Sequence, residues 1–184
     1  MLWAALLIAF DQGTKWVIYR WFMEARCEFI PGLIGFRPVF NDKYSFVNSL
    51  VCEYGGVGAG LLFHLALFTV IWVFLWQLYL FYKRFAPDNR LLAISMIFQV
   101  AAFASAYLSI LFWEKGVLDF LYIVPTGFIV CDWKDIYVNC FCVLFILGTL
   151  LIASKHKIRL KDITDYFKER ACLLSAFFRR HRKR

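Results

Sequence analysis

Long apolar runs dominate the chain and leave little choice of fold. They lie at about residues 2–22, 59–82, 91–113 and 133–153. A helix of ~20 residues crosses the ~30 Å hydrocarbon core of a bilayer, and each run reaches that length. Hydrophobic residues make up 62% of the sequence, above the ~50% that is usual for a soluble domain. We therefore expect an all-α membrane protein with four transmembrane helices.

The distribution of Lys and Arg predicts the orientation of these helices. The connection between the second and third runs, "KRFAPDNR", is basic, and residues 155–184 contain eleven Lys or Arg against three Asp or Glu. Cytoplasmic segments of membrane proteins are enriched in these residues. We expect both termini in the cytoplasm and the connections 23–57 and 114–132 outside. The chain then divides into a transmembrane domain, 1–154, and a cytoplasmic tail, 155–184.

The basic tail has apolar residues at roughly helical spacing among its charges. This pattern predicts an amphipathic helix that lies on the anionic inner leaflet, and a disordered basic tail is the alternative. A nucleic-acid partner is disfavoured, because the basic segment directly follows a membrane span and no nucleic-acid-binding motif is visible.

The first outer connection, 23–57, is too apolar to lie free in water. Its aromatic and aliphatic residues alternate loosely with Gly and Pro, which predicts short strands at the membrane surface and a flexible "GGVGAG" before the second span. Cys27 and Cys52 share this connection in an oxidising compartment. A disulfide between them and two free thiols both remain open.

Two ionisable residues lie inside the first apolar run. Asp11 follows ten residues, which places it ~15 Å along the helix. Lys15 follows four residues later, the spacing that pairs an acid and a base on one helix face. Charged groups at this depth are costly and face the interior of a bundle. We expect the pair to brace a functional site; the alternative is that the two charges only neutralise each other.

Two carboxylates lie at the outer end of the predicted bundle. Asp119 precedes "FLYIVPTGFIV", which is too short and too interrupted to cross a membrane, and Asp135 opens the fourth helix. Converging carboxylates in a partly dry site share one proton, the arrangement that general acid–base hydrolysis of a peptide needs. The alternative is two independent helix-end carboxylates in the headgroup zone. Glu114 and Asp132 are predicted to be rim charges.

These residues occur in an order that resembles the bacterial lipoprotein signal peptidases, or signal peptidase II. That family carries Asp-x-x-Thr/Ser-Lys in its first span, and this sequence has "DQGTK" from Asp11 to Lys15. The outer loop of the family has an Asn followed by a small residue and Phe. Here "NDKYSF" supplies Asn41, Ser45 and Phe46.

The two catalytic motifs of the family resemble "VLDF" and "DWKD", which assign the catalytic positions to Asp119 and Asp135. Four departures stand beside this resemblance. Lys43 occupies a position of the outer-loop motif where the family has Gly. Asp132 occupies a position where the family has Asn, and Lys134 occupies one where it has Ala. The third span ends in "SAYLSILFW", where the family has Gly-Asn-x-x-Asp-Arg.

The resemblance implies an aspartic endopeptidase that removes signal peptides from prolipoproteins just before the diacylglyceryl-modified Cys. It implies a multi-pass protein of the bacterial inner membrane that works as a monomer. One of Asp119 and Asp135 would be the general base and the other the general acid. The remaining matched or adjacent residues would bind the substrate or support the site: Asn41, Phe46, Asp11, Lys15 and Asp132.

Two alternatives belong to other functional classes. The missing Asn-x-x-Asp-Arg pattern favours a catalytically weak or inactive paralogue that binds lipidated peptides. An ion- or proton-coupled carrier using Asp11 and Lys15 is disfavoured, because no internal repeat is visible. We expect no metal and no cofactor, since no His, Cys and Asp cluster has ligand spacing.

Overall fold

The computed structural model describes residues 1–43, 46–56 and 58–181, without the side chains of 46, 47, 49, 50, 174 and 176–181. In this part of the chain, helices outweigh strands. The helices are α1 Leu2–Trp21, α2 Phe46–Gly55, α3 Leu61–Lys83, α4 Arg90–Phe112, α5 Trp133–His156 and α6 Leu160–His181. The strands are β1 Cys27–Ile30, β2 Ile34–Asn41, β3 Val117–Ile123 and β4 Val130–Cys131.

Three helices among the described residues are long and apolar enough to cross a membrane: α3, α4 and α5, with 23, 23 and 24 residues. Helix α1 has 20 residues, but its polar centre "DQGTK" lowers its hydropathy. The prediction of a mostly helical membrane protein is confirmed. The fourth span and the orientation of the termini stay predictions.

Helix α4 lies at the centre of the bundle, where it packs against α5, α1 and α3. Its buried face is built largely from small residues, including Ser95, Ala101, Ala102 and Ser105. Small side chains allow helices to approach closely, and such packing is one of the interactions that hold helices together where lipid surrounds a bundle. Gly148 of α5 uses the same device and lies directly against the first turn of α4.

The strands form one antiparallel sheet in the order β1-β2-β3-β4. Strands in the first outer connection are confirmed by β1 and β2. The second outer connection also contributes β3 and β4, which the sequence did not predict. A bulge in β2 after Phe36 brings Val39 opposite Asp119 and Asn41 opposite Val117. The sheet therefore joins the two outer connections.

Two further helices complete the fold. Helix α2, within the first outer connection, was not predicted. The tail forms α6, as its amphipathic pattern predicts, so the disordered alternative is wrong for the described residues. Tyr166 of α6 is buried and its hydroxyl donates to Gln77 of α3 at 3.0 Å. Cys27 and Cys52 are both free thiols.

Candidate active site

The alternation of side chains along β3 places Asp119. Leu118 and Phe120 point to one face and pack with Ile18 of α1 in an apolar cluster. Neighbouring residues of a strand point to opposite faces, so Asp119 points the other way, into a cavity that Val117 and Asn41 also line. Asp119 is only 5% exposed. An apolar anchor on one face of the strand thus fixes a carboxylate on the other.

The start of α5 places the second carboxylate. Asp132 is the N-cap, and its Oδ1 accepts a hydrogen bond from the Asp135 backbone N–H at 3.3 Å. In return, Asp135 Oδ2 accepts from the Asp132 backbone N–H at 3.1 Å. This reciprocal capping box satisfies two N–H groups that the first helical turn leaves unpaired. It also holds the two side chains in one geometry.

The carboxylates of β3 and α5 converge. Asp119, Asp132 and Asp135 each place one oxygen within 4.8 Å of the others. The cavity beside them has a volume of about 1040 Å³. Much of its lining is apolar, including Ile123, Phe128, Ile129, Val130 and Ile136. The Asp135 side chain is 43% exposed. Asp119 and Asp135 therefore differ, because Asp119 is buried and Asp135 is partly open to the cavity.

An ammonium group lies among these three carboxylates. Lys134 Nζ is 2.9 Å from Asp132 Oδ1, 3.3 Å from Asp135 Oδ2 and 3.4 Å from Asp119 Oδ1. By spacing alone the three carboxylates could hold a metal ion, and in this structure the Lys134 ammonium contacts all three.

A second lysine approaches from α1. Lys15 Nζ lies 3.0 Å from Asp11 Oδ2 and 2.5 Å from Asp132 Oδ2. It also donates to Ser109 Oγ of α4 at 2.7 Å. Lys15, Asp11 and Asp132 are all fully buried. The interactions of Lys15 therefore tie α1, α4 and the N-cap of α5 together directly behind the cavity.

Burial and neighbouring charges shift the pKa values of Asp119 and Asp132 in opposite directions. Burial raises the pKa of Asp119 to about 7, although Lys134 acts in the opposite direction. Burial also pushes the pKa of Asp132 upward, but Lys134 and Lys15 outweigh it and hold that pKa below its usual range. At neutral pH, Asp132 is ionised, whereas Asp119 is partly protonated.

Cys131 lies on β4 beside the same cavity. Burial and the neighbouring carboxylates raise the pKa of its thiol to about 11. Because the thiolate and not the thiol is the nucleophile, Cys131 is unsuited to attack a peptide bond at neutral pH.

Asn41 ends β2 at the edge of the cavity, and its Oδ1 accepts from the Lys43 backbone N–H at 3.1 Å. Gly116 fixes this end of the sheet, because it has φ +100° and its Cα faces the Asn41 carbonyl. A Cβ at Gly116 would lie 2.5 Å from that oxygen. Phe46 begins α2, and its side chain lies outside the described part of the molecule, as does Ser45.

The structure thus brings together five of the residues singled out in the sequence: Asp11, Lys15, Asp119, Asp132 and Asp135. The expectation that Asp132 is a rim charge is wrong, because two ammonium groups compensate its burial. Glu114 is exposed, as expected of a rim charge. Sequence reasoning missed the central position of Lys134 and the contact of Ser109. The D-x-x-D pattern before an apolar run was the available signal that Asp132 caps α5.

Known proteins resemble both the sequence and the fold. Two solved structures, each described as a bacterial membrane enzyme structure obtained by the in meso method, share the fold. The first is 18% identical with a TM-score of 0.59, and the match covers 86% of this chain and 90% of that one. The second is 17% identical with a TM-score of 0.54, covering 81% and 90%. No curated protein gives a significant match.

A protein-family model gives the assignment that these low identities cannot. The model described as Signal peptidase (SPase) II matches residues 3–151. The match extends from the start of α1 almost to the end of α5, so it includes the bundle, the sheet and both carboxylates of the proposed pair. The chain belongs to the signal peptidase II family of membrane proteases.

Proposed function

We propose that this protein is an aspartic endopeptidase that removes signal peptides from prolipoproteins ahead of the lipid-modified Cys. Asp119 and Asp135 form its catalytic pair. One observation carries the proposal: a buried carboxylate with a pKa of about 7 and a more exposed carboxylate converge in one cavity. Membership of the signal peptidase II family supports the same substrate class.

Peptide hydrolysis by such a pair needs one proton and one water molecule. The ionised carboxylate removes a proton as the water oxygen attacks the scissile carbonyl carbon, and the protonated carboxyl donates its proton to the carbonyl oxygen. The carboxylate that has lost its proton then takes one from a hydroxyl of the resulting diol, the C–N bond breaks, and the other carboxyl gives its proton to the leaving amine nitrogen. Burial favours the shared proton on Asp119, so Asp119 is the general acid and Asp135 the general base.

The supporting residues have separate tasks. Asn41, at the end of β2, contacts the substrate backbone, and Phe46 contributes to substrate binding. Asp11, Lys15 and Asp132 hold α1, α4 and α5 in register behind the pair. An apolar cavity wall suits the aliphatic part of a lipid-modified substrate.

In this proposal α1 is a fourth membrane span, and both termini lie in the cytoplasm. The transmembrane domain covers 1–154 and the basic tail 155–184, whose helix α6 binds the anionic inner leaflet. The catalytic cavity then opens at the outer surface of the bacterial inner membrane, where translocated prolipoproteins arrive. The protein works as a monomer.

One observation favours a second candidate, a weak or inactive paralogue that binds lipidated peptides. The Lys134 ammonium lies within 3.4 Å of both carboxylates, where it competes with the shared proton and with an attacking water. A binding protein would tolerate a cation there permanently.

Prolipoprotein processing in cells depleted of their own lipoprotein signal peptidase distinguishes the peptidase from the binding paralogue. We expect the wild type to restore mature lipoprotein. Asp119→Asn and Asp135→Asn should each lower processing by at least about 10²-fold, since each removes one acid–base group. Glu114→Gln, which neutralises an exposed acid of the same outer connection, is the matched control and should process normally.

The outcomes distinguish the peptidase from the binding paralogue. If either Asn variant processes at the wild-type rate, the proposed pair is wrong. If the wild type leaves the precursor uncut but retains it during purification in detergent, the binding paralogue replaces the peptidase.

A further inference from the structure

Lys134 has an unusual place for a side chain so close to a proposed acid–base pair. It is the second residue of α5, yet its ammonium contacts the carboxylates of β3, of the helix cap and of α5 itself. Its side chain is 13% exposed. The shortest of the three contacts, at 2.9 Å, is to Asp132 and not to either member of the pair.

A charge count explains why Lys134 and Asp132 occur together. The site holds four carboxylates, on Asp11, Asp119, Asp132 and Asp135, and two ammonium groups, on Lys15 and Lys134. Lys15 contacts both Asp11 and Asp132, and Lys134 contacts Asp132, so the two ammonium groups together balance these two carboxylates. The proposed catalytic pair therefore keeps the charge of two carboxylates that share one proton.

Neither member of this ion pair suits the site alone. Lys134 without Asp132 would add one uncompensated positive charge beside the pair and would favour loss of the shared proton. Asp132 without Lys134 would add a third carboxylate within 4.8 Å and would favour uptake of a second proton. Only the two together leave the proton count of the pair unchanged.

Other charged or titratable groups face the cavity from further away. Asp42 and Lys43, after β2, pair with each other at 3.1 Å and are exposed. Glu53 and Cys52 line the cavity from α2, and Cys131 lines it from β4. The Lys134 ammonium, in contrast, is in ion-pair contact with both members of the proposed catalytic pair.

We propose that Lys134 is a positioning residue of the catalytic pair, which holds Asp119 and Asp135 together and sets the pH at which they release their shared proton, with Asp132 as its fixed counter-charge. This inference rests on the proposed function. It assigns one joint role to Asp132 and Lys134, the two residues of this motif that depart from the family pattern. The pair of charges replaces the neutral side chains that the resemblance would place there.

The test is a double-mutant cycle of Lys134 and Asp132, in which the titration of the Asp119 carboxyl is measured. The protein is labelled with ¹³C at the Asp carboxyl carbons in detergent micelles, and Asp119→Asn identifies the Asp119 signal. We expect Lys134→Met to move the Asp119 titration to higher pH by about one unit or more, because it removes the opposing charge while keeping most of the stem. Asp132→Asn, which retains an N-cap oxygen, should move it to lower pH.

The double variant Asp132→Asn with Lys134→Met should titrate near the wild-type pH, because the two effects cancel. Lys115→Met is the matched control, since it removes an exposed cation of the outer connection that lines a different cavity. It should leave the titration unchanged. If Asp132→Asn does not fold, the direction of the Lys134→Met shift still decides between the outcomes.

The inference is overturned if Lys134→Met leaves the Asp119 titration in place or lowers it, or if the double variant shifts as far as Lys134→Met alone. A purely structural lysine would change the unfolding temperature without this cancellation. Prolipoprotein cleavage by the wild type tests the proposed function separately. The carboxyl titration gives its answer whether or not the wild type cleaves, so the two proposals fail independently.

Discussion

At the scale of single residues, the buried charges decide both chemistry and stability. Burial raises the pKa of the Asp119 carboxyl from its ordinary value of 3.8 to about 7. The folded state therefore binds this proton more tightly than the unfolded state does. Ionised Asp119 lowers the free energy of unfolding, and this effect grows from about pH 3.8 to about pH 7 and is constant above it.

Replacing Asp119 with Asn should stabilise the inactive protein at alkaline pH. At pH 8 we expect the free energy of unfolding to rise by up to about 4 kcal/mol. At pH 4 the gain should nearly vanish, because the native carboxyl is then protonated and uncharged. Thermal unfolding in detergent at the two pH values checks this. A gain of equal size at both would show that ionisation of Asp119 is not the cause.

The same pKa predicts the pH dependence of cleavage. The general acid loses its proton as pH rises through about 7, so kcat/KM should fall above neutrality. Cleavage of a prolipoprotein substrate between pH 5 and 9 in detergent measures this. A rate that keeps rising to pH 9 would rule out Asp119 as the acid.

Lys15 shows the reverse case, a charge whose removal is costly. Lys15→Met leaves Asp11 and Asp132 buried without this counter-charge, and we expect a loss of about 3–5 kcal/mol in the free energy of unfolding. Arg20→Met, on an exposed position of the same helix, should stay within about 0.5 kcal/mol. Denaturant unfolding of both variants makes the comparison. Equal stabilities would contradict a bracing role for Lys15.

At the scale of elements, the approach of Gly116 to Asn41 positions one side of the cavity. Gly116→Ala combines a positive φ with a Cβ 2.5 Å from a backbone oxygen. We expect a loss of about 3 kcal/mol or more, together with reduced cleavage as Asn41 shifts. Gly127→Ala is the control, with φ +74° and open space around its Cβ, and it should cost only ~1–2 kcal/mol. Unfolding and cleavage assays on both separate strain from displacement.

Elements with a clear period were predictable from the sequence, and elements formed by distant partners were not. The apolar runs determine α3, α4 and α5 by themselves. Strand β3 was missed because its pairing with β2 joins Asp119 to Val39, eighty residues apart. The convergence of Asp119 and Asp135 followed from topology, whereas the burial of Asp132 depends on Lys15 from α1, a contact that no local pattern reveals.

At the scale of the whole molecule, charge asymmetry predicts the orientation. In a variant without its natural cysteines, we expect Lys115→Cys to react with a membrane-impermeant thiol reagent added to spheroplasts. Asp88→Cys should react only after lysis. Both positions are exposed, so access across the membrane and not burial decides the result. Labelling in the opposite order would reverse the topology and place the catalytic cavity in the cytoplasm.

The reciprocal cap of α5 has a consequence for how cells would handle defective copies. Asp132 both starts a membrane helix and balances the charges of the site, so Asp132→Ala should yield protein that frays, is degraded and leaves little trace. Asp119→Asn should instead accumulate as an intact protein that binds prolipoproteins without releasing them. Loss of the same activity would therefore be recessive at one carboxylate and dominant at another less than 5 Å away.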